Sequence, residues 1–256
     1  MLKAERYRKI LNHLQEQGTA TITDLCGILD VSRATARRDL VELDRENLLE
    51  RKHGGAVAIE KSSAADIPLA LRRHIQKEEK IRIAKAAVAY IKEGNTLYLG
   101  AGTTTREVAV LLKNFRRLTV LTNDIAVAME VSVTENQLIV TGGVLKKSSM
   151  TLLGHFTERI LNELHVDIAI LSMDAVDPAN GFMDYNTDEI IIKRLMIQNA
   201  DKCIMLCDHS KFFRTALVKV CPLADADLLI TGDTLDPDYK QRLMDGDVQV
   251  IEKTSL

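Results

Sequence analysis

At 256 residues, 46% apolar and 27% charged, the chain is long enough for one or two globular domains and too apolar for a disordered one. A formal net charge of −2 gives no general attraction to nucleic acid, so any such affinity has to come from local placement of cations. With no Trp and 4% aromatic residues, the chain is poorly equipped to stack on single-stranded bases, which leaves duplex DNA as the nucleic acid to consider.

The opening MLKAERYRKILNHLQ mixes charge with apolar residues at helical spacing and lacks the apolar stretch of a signal peptide. No later run is long enough to span a bilayer, so a cytoplasmic protein is expected. Two helices are predicted before residue 30, one burying Tyr7, Ile10, Leu11 and Leu14, the other Ile22, Leu25, Cys26 and Leu29, with Gly18 between them. Thr23 is the expected cap of the second, with Ile22 as its staple. Ser32 is the expected N-cap of a third helix that buries Ala36, Leu40 and Leu43. From Leu48, the run LLERKHGGAVAI reads as two short strands joined by a hairpin turn at Gly54-Gly55.

The polar, small-residue stretch EKSSAADIP then marks a linker. The expected organisation is a winged helix-turn-helix over residues 1–58, a linker over 59–74 and a larger α/β domain over 75–256. In that last part the apolar runs TLYLG, LTVLT, QLIVTG, DIAILS, CIMLC, ADLLIT and VQVI are separated by helical stretches at 78–91, 106–112, 157–164 and 187–200. Strands alternating with helices predict a mostly parallel sheet covered on both faces. Cys26, Cys203, Cys207 and Cys221 lie among apolar neighbours and are expected to be reduced thiols. The histidines show no metal spacing, and no cofactor fingerprint is present.

Residues 31–56 carry the first functional signal. With Leu40 and Leu43 turned to a core, Ser32, Arg33, Thr35, Arg37 and Arg38 occupy or flank the outward N-terminal half of the third helix. Arginine there can bond guanine bidentately or clamp phosphate, and a wing with Arg51, Lys52 and His53 can lie on the flanking backbone. The six basic and five acidic side chains of this segment sum to only +1, so charge decides nothing and the arrangement decides. Ion pairs of Arg38 with Glu42 and of Arg37 with Asp39 or Glu42 are the bland alternative. The pattern resembles the DeoR-type bacterial regulators of sugar metabolism: R-x3-I at Arg6 to Ile10, V-S-x-x-T-x-R-R-D-L at Val31 to Leu40 and R-x-H-G-G-A at Arg51 to Ala56. Ala36 stands where that family usually has Ile. Asp30 stands where Gly is frequent, a turn whose left-handed backbone Asp tolerates.

The second signal is AGTTTREVAVLL after the first strand of the larger domain. Free N–H groups at a helix start, with the hydroxyls of Thr103, Thr104 and Thr105 after Gly102, suit a phosphate. The loop lacks a dinucleotide fingerprint and a P-loop, and a structural turn is an equal reading of the motif alone. Thr122-Asn123, Gly142-Gly143, Ser172 to Asp174 and Asp208 to Lys211 also follow predicted strands, so one sheet edge gathers them. The resemblance extends here through E-K-x-x-I-A at Glu79 to Ala84, G-T-T-T at Gly102 to Thr105, T-N at Thr122 to Asn123, G-G at Gly142 to Gly143 and D-H-S-K-F at Asp208 to Phe212.

It implies a domain resembling ribose-5-phosphate isomerase in fold that binds a phosphorylated sugar or related intermediate. The expected effector residues are Gly102, Thr103, Thr104, Thr105, Asn123, Gly143, Asp174, Glu189 and Lys211, with Lys211 beside the threonine loop. Glu189 and Lys193 form either a sugar-contacting or an exposed i,i+4 pair. The expected protein is a repressor of a sugar-catabolism operon, at least dimeric on duplex operator DNA and without a cofactor. The rival is a sugar-phosphate isomerase using Asp174, Asp177, Glu189 and Lys211.

Overall fold

The computed structural model describes residues 3–45, 48–58, 72–73 and 75–255. Its contacts divide the chain into two compact units, Met1–Lys77 and Glu78–Leu256. Residues 59–71 and 74 of the expected linker lie outside the described residues.

In the first unit, α1 (Lys3–Gln17), α2 (Ile22–Leu29) and α3 (Arg33–Arg45) pack on a three-stranded sheet of order β1-β3-β2, with β1 at Thr19–Thr21, β2 at Glu50–Lys52 and β3 at Gly55–Val57. Ile10, Leu14, Leu25, Leu29, Ala36, Leu40, Leu43 and Leu49 form its core, at most 2% exposed. Each of the larger side chains contributes about 1.5–3 kcal/mol by burial. Three details depart from expectation. The α2 cap is Thr21, not Thr23, because Thr21 and Asp24 complete a reciprocal capping box that Thr23 has no acidic partner to form. β1, unanticipated, pairs with β3. The hairpin turn is His53-Gly54, with Lys52 opposite Gly55. Gly55 belongs to β3, where a Cβ would fall 2.1 Å from the Ala20 carbonyl oxygen.

The second unit is built on a seven-stranded sheet of order β15-β14-β12-β9-β4-β5-β6, every neighbouring pair parallel. The strands are β4 (Thr96–Leu99), β5 (Thr119–Thr122), β6 (Gln137–Val140), β9 (Val166–Ser172), β12 (Ala200–Leu206), β14 (Leu228–Thr231) and β15 (Gln249–Glu252), one for each predicted apolar run. On one face α4 (Lys77–Val88), α5 (Thr103–Leu111) and α6 (Ile125–Val131) cover Leu97, Leu99, Val120, Ile168, Ile170 and Ile204. On the other, α7 (His155–Glu163), α8 (Thr187–Gln198) and α9 (Pro237–Met244) cover Tyr98, Leu121, Ala169, Leu171, Met205 and Leu229. Alternate residues of one strand thus feed two cores.

The short strands are additions to this frame: the hairpin of β7 (Val144–Lys146) and β8 (Thr151–Leu153), and an antiparallel sheet of β10 (Ala175–Asp177), β11 (Gly181–Asp184) and β13 (Val218–Cys221). Burial pushes the Cys207 and Cys221 thiols up to about 12, which keeps them protonated.

The chain runs outward through β4, β5 and β6, then returns to lay β9 on the other side of β4 before continuing through β12, β14 and β15. The β4/β9 boundary is therefore a topological switch point, where the connections leaving two neighbouring strands diverge and open a crevice at their carboxyl ends.

Candidate functional site

In the first unit, the recognition-type helix α3 begins with Ser32, whose Oγ accepts from the Thr35 amide at 3.2 Å, as expected of an N-cap. Asp30 ends α2 in the left-handed region, φ 50° and ψ 53°, so the inter-helix turn keeps its geometry without glycine. The inward face of α3 carries Asp39, 1% exposed, which the Arg6 guanidinium of α1 grips through bonds of 2.6 and 2.9 Å. Glu42 accepts from the Tyr7 hydroxyl at 2.5 Å and pairs with Lys3. These bonds occupy the acids that a decorated-helix reading assigns to the arginines. Among the described residues neither Arg37 nor Arg38 makes an ion pair, and both are exposed.

Arg33 leans on Thr23 Oγ1 at 3.3 Å, and Thr35 Oγ1 lies 3.0 Å from Ser32 Oγ. On the wing Arg51, Lys52 and His53 are exposed, although Lys52 pairs with Glu50. The Arg51 amide is tied to Asp44 at 3.0 Å, which anchors the wing to α3.

In the second unit the loops after β4, β5, β9 and β12 converge on the carboxyl edge of the sheet. Gly102 sits at φ 153°, and a Cβ there would fall 2.2 Å from Ser172 Oγ, so the α5 loop closes directly onto the end of β9. Thr105 is fully buried and its hydroxyl donates to the Gly102 carbonyl at 2.9 Å. Thr103 and Thr104 make no side-chain hydrogen bond among the described residues. Asn123 is buried by accepting from the Tyr98 hydroxyl at 2.6 Å and donating to the Leu152 carbonyl at 3.1 Å, so it ties β4, β5 and β8 together. Gly143, at φ 120°, permits a close approach, since a Cβ would fall 2.3 Å from Thr157 Oγ1.

A buried charged cluster lies at the carboxyl end of β9. Glu189 accepts from Thr151 Oγ1 at 3.1 Å. Lys193 donates to the Ser172 carbonyl at 3.0 Å and to Asp184. Glu189 and Lys193 are 7% and 6% exposed, so the reading of an exposed i,i+4 pair is overturned: Lys193 turns to Asp184, from a strand the sequence did not reveal. Asp174 is 3.9 Å from Lys211, whose side chain is only 17% exposed, so Lys211 is not a free surface lysine. The contacts thus run from Gly102 through Ser172, Lys193, Asp184 and Asp174 to Lys211.

Burial alone would raise Asp184, but Lys193 and the amide of Asn186 among others bring it down to about 2. Burial pushes the Asp174 carboxyl up, and the charge of Asp184 adds to this while Lys211 opposes it. Asp124, which caps α6 and accepts from the Gly102 amide at 3.3 Å, is raised by burial to about 6. Asp124 and Asp184 were missed by sequence reasoning. A T-N-D run directly before a helix was the available signal for the first.

The known proteins most like this chain decide between its two functional readings. Residues 6–62 match the DeoR-like helix-turn-helix domain and residues 75–233 the DeoR C terminal sensor domain. The chain belongs to the DeoR family of transcription regulators. Among relatives of this DeoR-family regulator, an uncharacterized HTH-type transcriptional regulator, YulB, of Bacillus subtilis is 36% identical over 98% of this chain and 96% of its own length. The HTH-type transcriptional regulator GlpR of Haloferax volcanii is 34% identical over 98% of both chains. The glycerol-3-phosphate regulon repressor of Escherichia coli is 32% identical over 98% of this chain and 99% of its own.

Among solved structures, ribose 5-phosphate isomerase A of Methanocaldococcus jannaschii overlays 54% of this chain and 55% of its own, with 21% identity and a TM-score of 0.41. The DeoR-family regulator is a DNA-binding protein and not an enzyme, and the isomerase alternative falls with that assignment. Among the described residues no helix is long and apolar enough to cross a membrane.

Proposed function

We propose that this regulator represses a sugar-catabolism operon and leaves its operator when a phosphorylated sugar or related intermediate fills the crevice at the β4/β9 switch point. The observation that carries the reading is the pairing of two kinds of group along one sheet edge. Unengaged Thr103 and Thr104 hydroxyls sit at the start of α5, where helix N–H groups favour an anion, and a buried acid and ammonium cluster suited to hydroxyls adjoins them. The name of the E. coli relative, a glycerol-3-phosphate regulon repressor, supports the phosphate.

In this reading Gly102, Thr103, Thr104 and Thr105 hold phosphate, Lys211 neutralises it, and Asp174 and Glu189 face hydroxyls, with Asn123 and Gly143 shaping the wall. On DNA, Ser32, Arg33, Thr35, Arg37 and Arg38 address the major groove, while Arg51, Lys52 and His53 address the flanking backbone. The active species is at least a dimer, because one small module contacts few base pairs and paired half-sites multiply affinity.

The test is operator release against concentration of glycerol 3-phosphate, ribose 5-phosphate and fructose 1-phosphate, and of their unphosphorylated counterparts, for wild type and Lys211→Ala in parallel. The induction curve of the variant should shift to higher concentration, with operator affinity in the absence of ligand unchanged. An equal response of both proteins removes Lys211 from the pocket, and equal potency of the unphosphorylated sugars removes the phosphate.

A further inference from the structure

The first helix of the second unit grips the loops at the carboxyl edge of the sheet. Glu79, in the first turn of α4 and 4% exposed, accepts from the His209 amide at 2.7 Å and bonds the His209 ring Nδ1 at 2.7 Å. Three residues on, Arg82 donates to the Gly232 carbonyl at 3.0 Å and to the Lys253 carbonyl at 3.3 Å, after β14 and β15. Gly232 lies so close that a Cβ would fall 2.3 Å from Glu79 Cγ. Burial raises the Asp208 carboxyl, but the charge of Lys211 first, then that of Lys80, which is 5% exposed, brings it below its usual range.

His209 opens the short 3-10 turn His209–Lys211, capped by Asp208, which accepts from the Ser210 amide at 3.1 Å. The Lys211 amide bonds the Asp208 carbonyl at 3.0 Å. His209 and Lys211 share this short capped turn, so a ligand that shifts the backbone at Lys211 also shifts His209. α4 begins at Lys77, the last residue of the first unit, and continues into the second from Glu78, so it leads back along the chain toward the DNA-binding helices.

We propose that the Glu79–His209 junction carries occupancy at Lys211 into α4, and that these two residues couple the effector crevice to the operator-binding unit without touching either ligand. The inference rests on the sugar-phosphate reading above. A ligand alters the DNA-binding equilibrium only through its different affinity for two states, and at this junction α4 is hydrogen-bonded to the Lys211 turn. The two Glu79 bonds are 2.7 Å long and partly buried, so a shift of the turn either moves the helix or breaks them.

The experiment measures operator affinity, with and without saturating glycerol 3-phosphate, ribose 5-phosphate or fructose 1-phosphate, for the full chain as wild type, Glu79→Ala and His209→Ala. In wild type the effective compound should change operator affinity by about 5- to 150-fold, and in both variants that ratio should fall toward one. Operator affinity without ligand and ligand affinity without DNA should stay near wild type. An unchanged ratio in folded Glu79→Ala overturns the proposal, as does loss of ligand binding, which places the pair in the pocket. Should Glu79→Ala fail to unfold cooperatively, His209→Ala, altered at a half-exposed ring, decides alone. If no compound binds wild type, the sugar-phosphate reading fails and the coupling falls with it. Binding with intact coupling in the variants removes the coupling alone.

Discussion

Replacing Lys193 by Met removes an ammonium that is 6% exposed while keeping the length of the side chain. It leaves Asp184 at 3% and Asp174 at 8% exposure facing one another in the buried cluster. In wild type Asp184, held at about 2, is ionised throughout the neutral and mildly acid range, and its contribution to stability is lost only as pH falls through that value. Without Lys193 the cheapest escape is to keep Asp184 protonated. At pH 7 that costs about 4 kcal/mol relative to an unfolded aspartate, and at pH 5 about 1.5 kcal/mol. The Ser172 carbonyl also loses its donor, at about 1 kcal/mol.

Urea denaturation should therefore show Lys193→Met destabilised by about 5 kcal/mol at pH 7 and by about half of that at pH 5. The double variant with Asp184→Asn should recover most of the loss at pH 7. An equal loss at both pH values would show that packing, not charge, is what Lys193 supplies, and the account of the buried cluster would fail.

Arg37→Ala and Arg38→Ala should each weaken operator binding by about 1–3 kcal/mol if the side chain reads a base, with no change in melting temperature, because both are exposed and without ion pairs among the described residues. Gel-shift titrations at two salt concentrations separate base reading from phosphate contact by the salt slope. His209, raised chiefly by its bond to Glu79 and further by the charges of Glu79, Asp208 and Asp233, stabilises the fold most when protonated. That contribution is full below the unfolded histidine pKa and is lost as pH rises through the folded one, so the melting temperatures of wild type and His209→Ala should differ more at pH 6 than at pH 8.5. A difference that grows with pH would show the sign to be wrong.

The parallel sheet was legible because its strands are buried on both faces and read as continuous apolar runs such as DIAILS. The added strands were not, since each is only three or four residues long and carries no period of its own. The helix at 125–131 escaped notice for a similar reason: IAVAMEV is apolar on nearly every face. On α8 the rule that charge faces solvent misled, because Glu189 and Lys193 face inward while Ile191 is 51% exposed. Sequence spacing made Glu189 and Lys193 neighbours along a helix. It could not show that Asp184, on a short strand across the crevice, is the partner Lys193 takes.

The order of strands also bears on how the regulator comes into being. β9 pairs with β4 across everything that β5 to β8 contribute, so the crevice closes only after a long stretch of chain has been made and ordered. Loop closure over such a separation slows folding, whereas the first unit relies on contacts within fewer than sixty residues. During synthesis the DNA-binding unit can thus be complete while the sensor is still an open sheet. Slow-folding variants of the β4/β9 seam would then leave a pool of chains with a finished DNA-binding unit and no sensor to govern it.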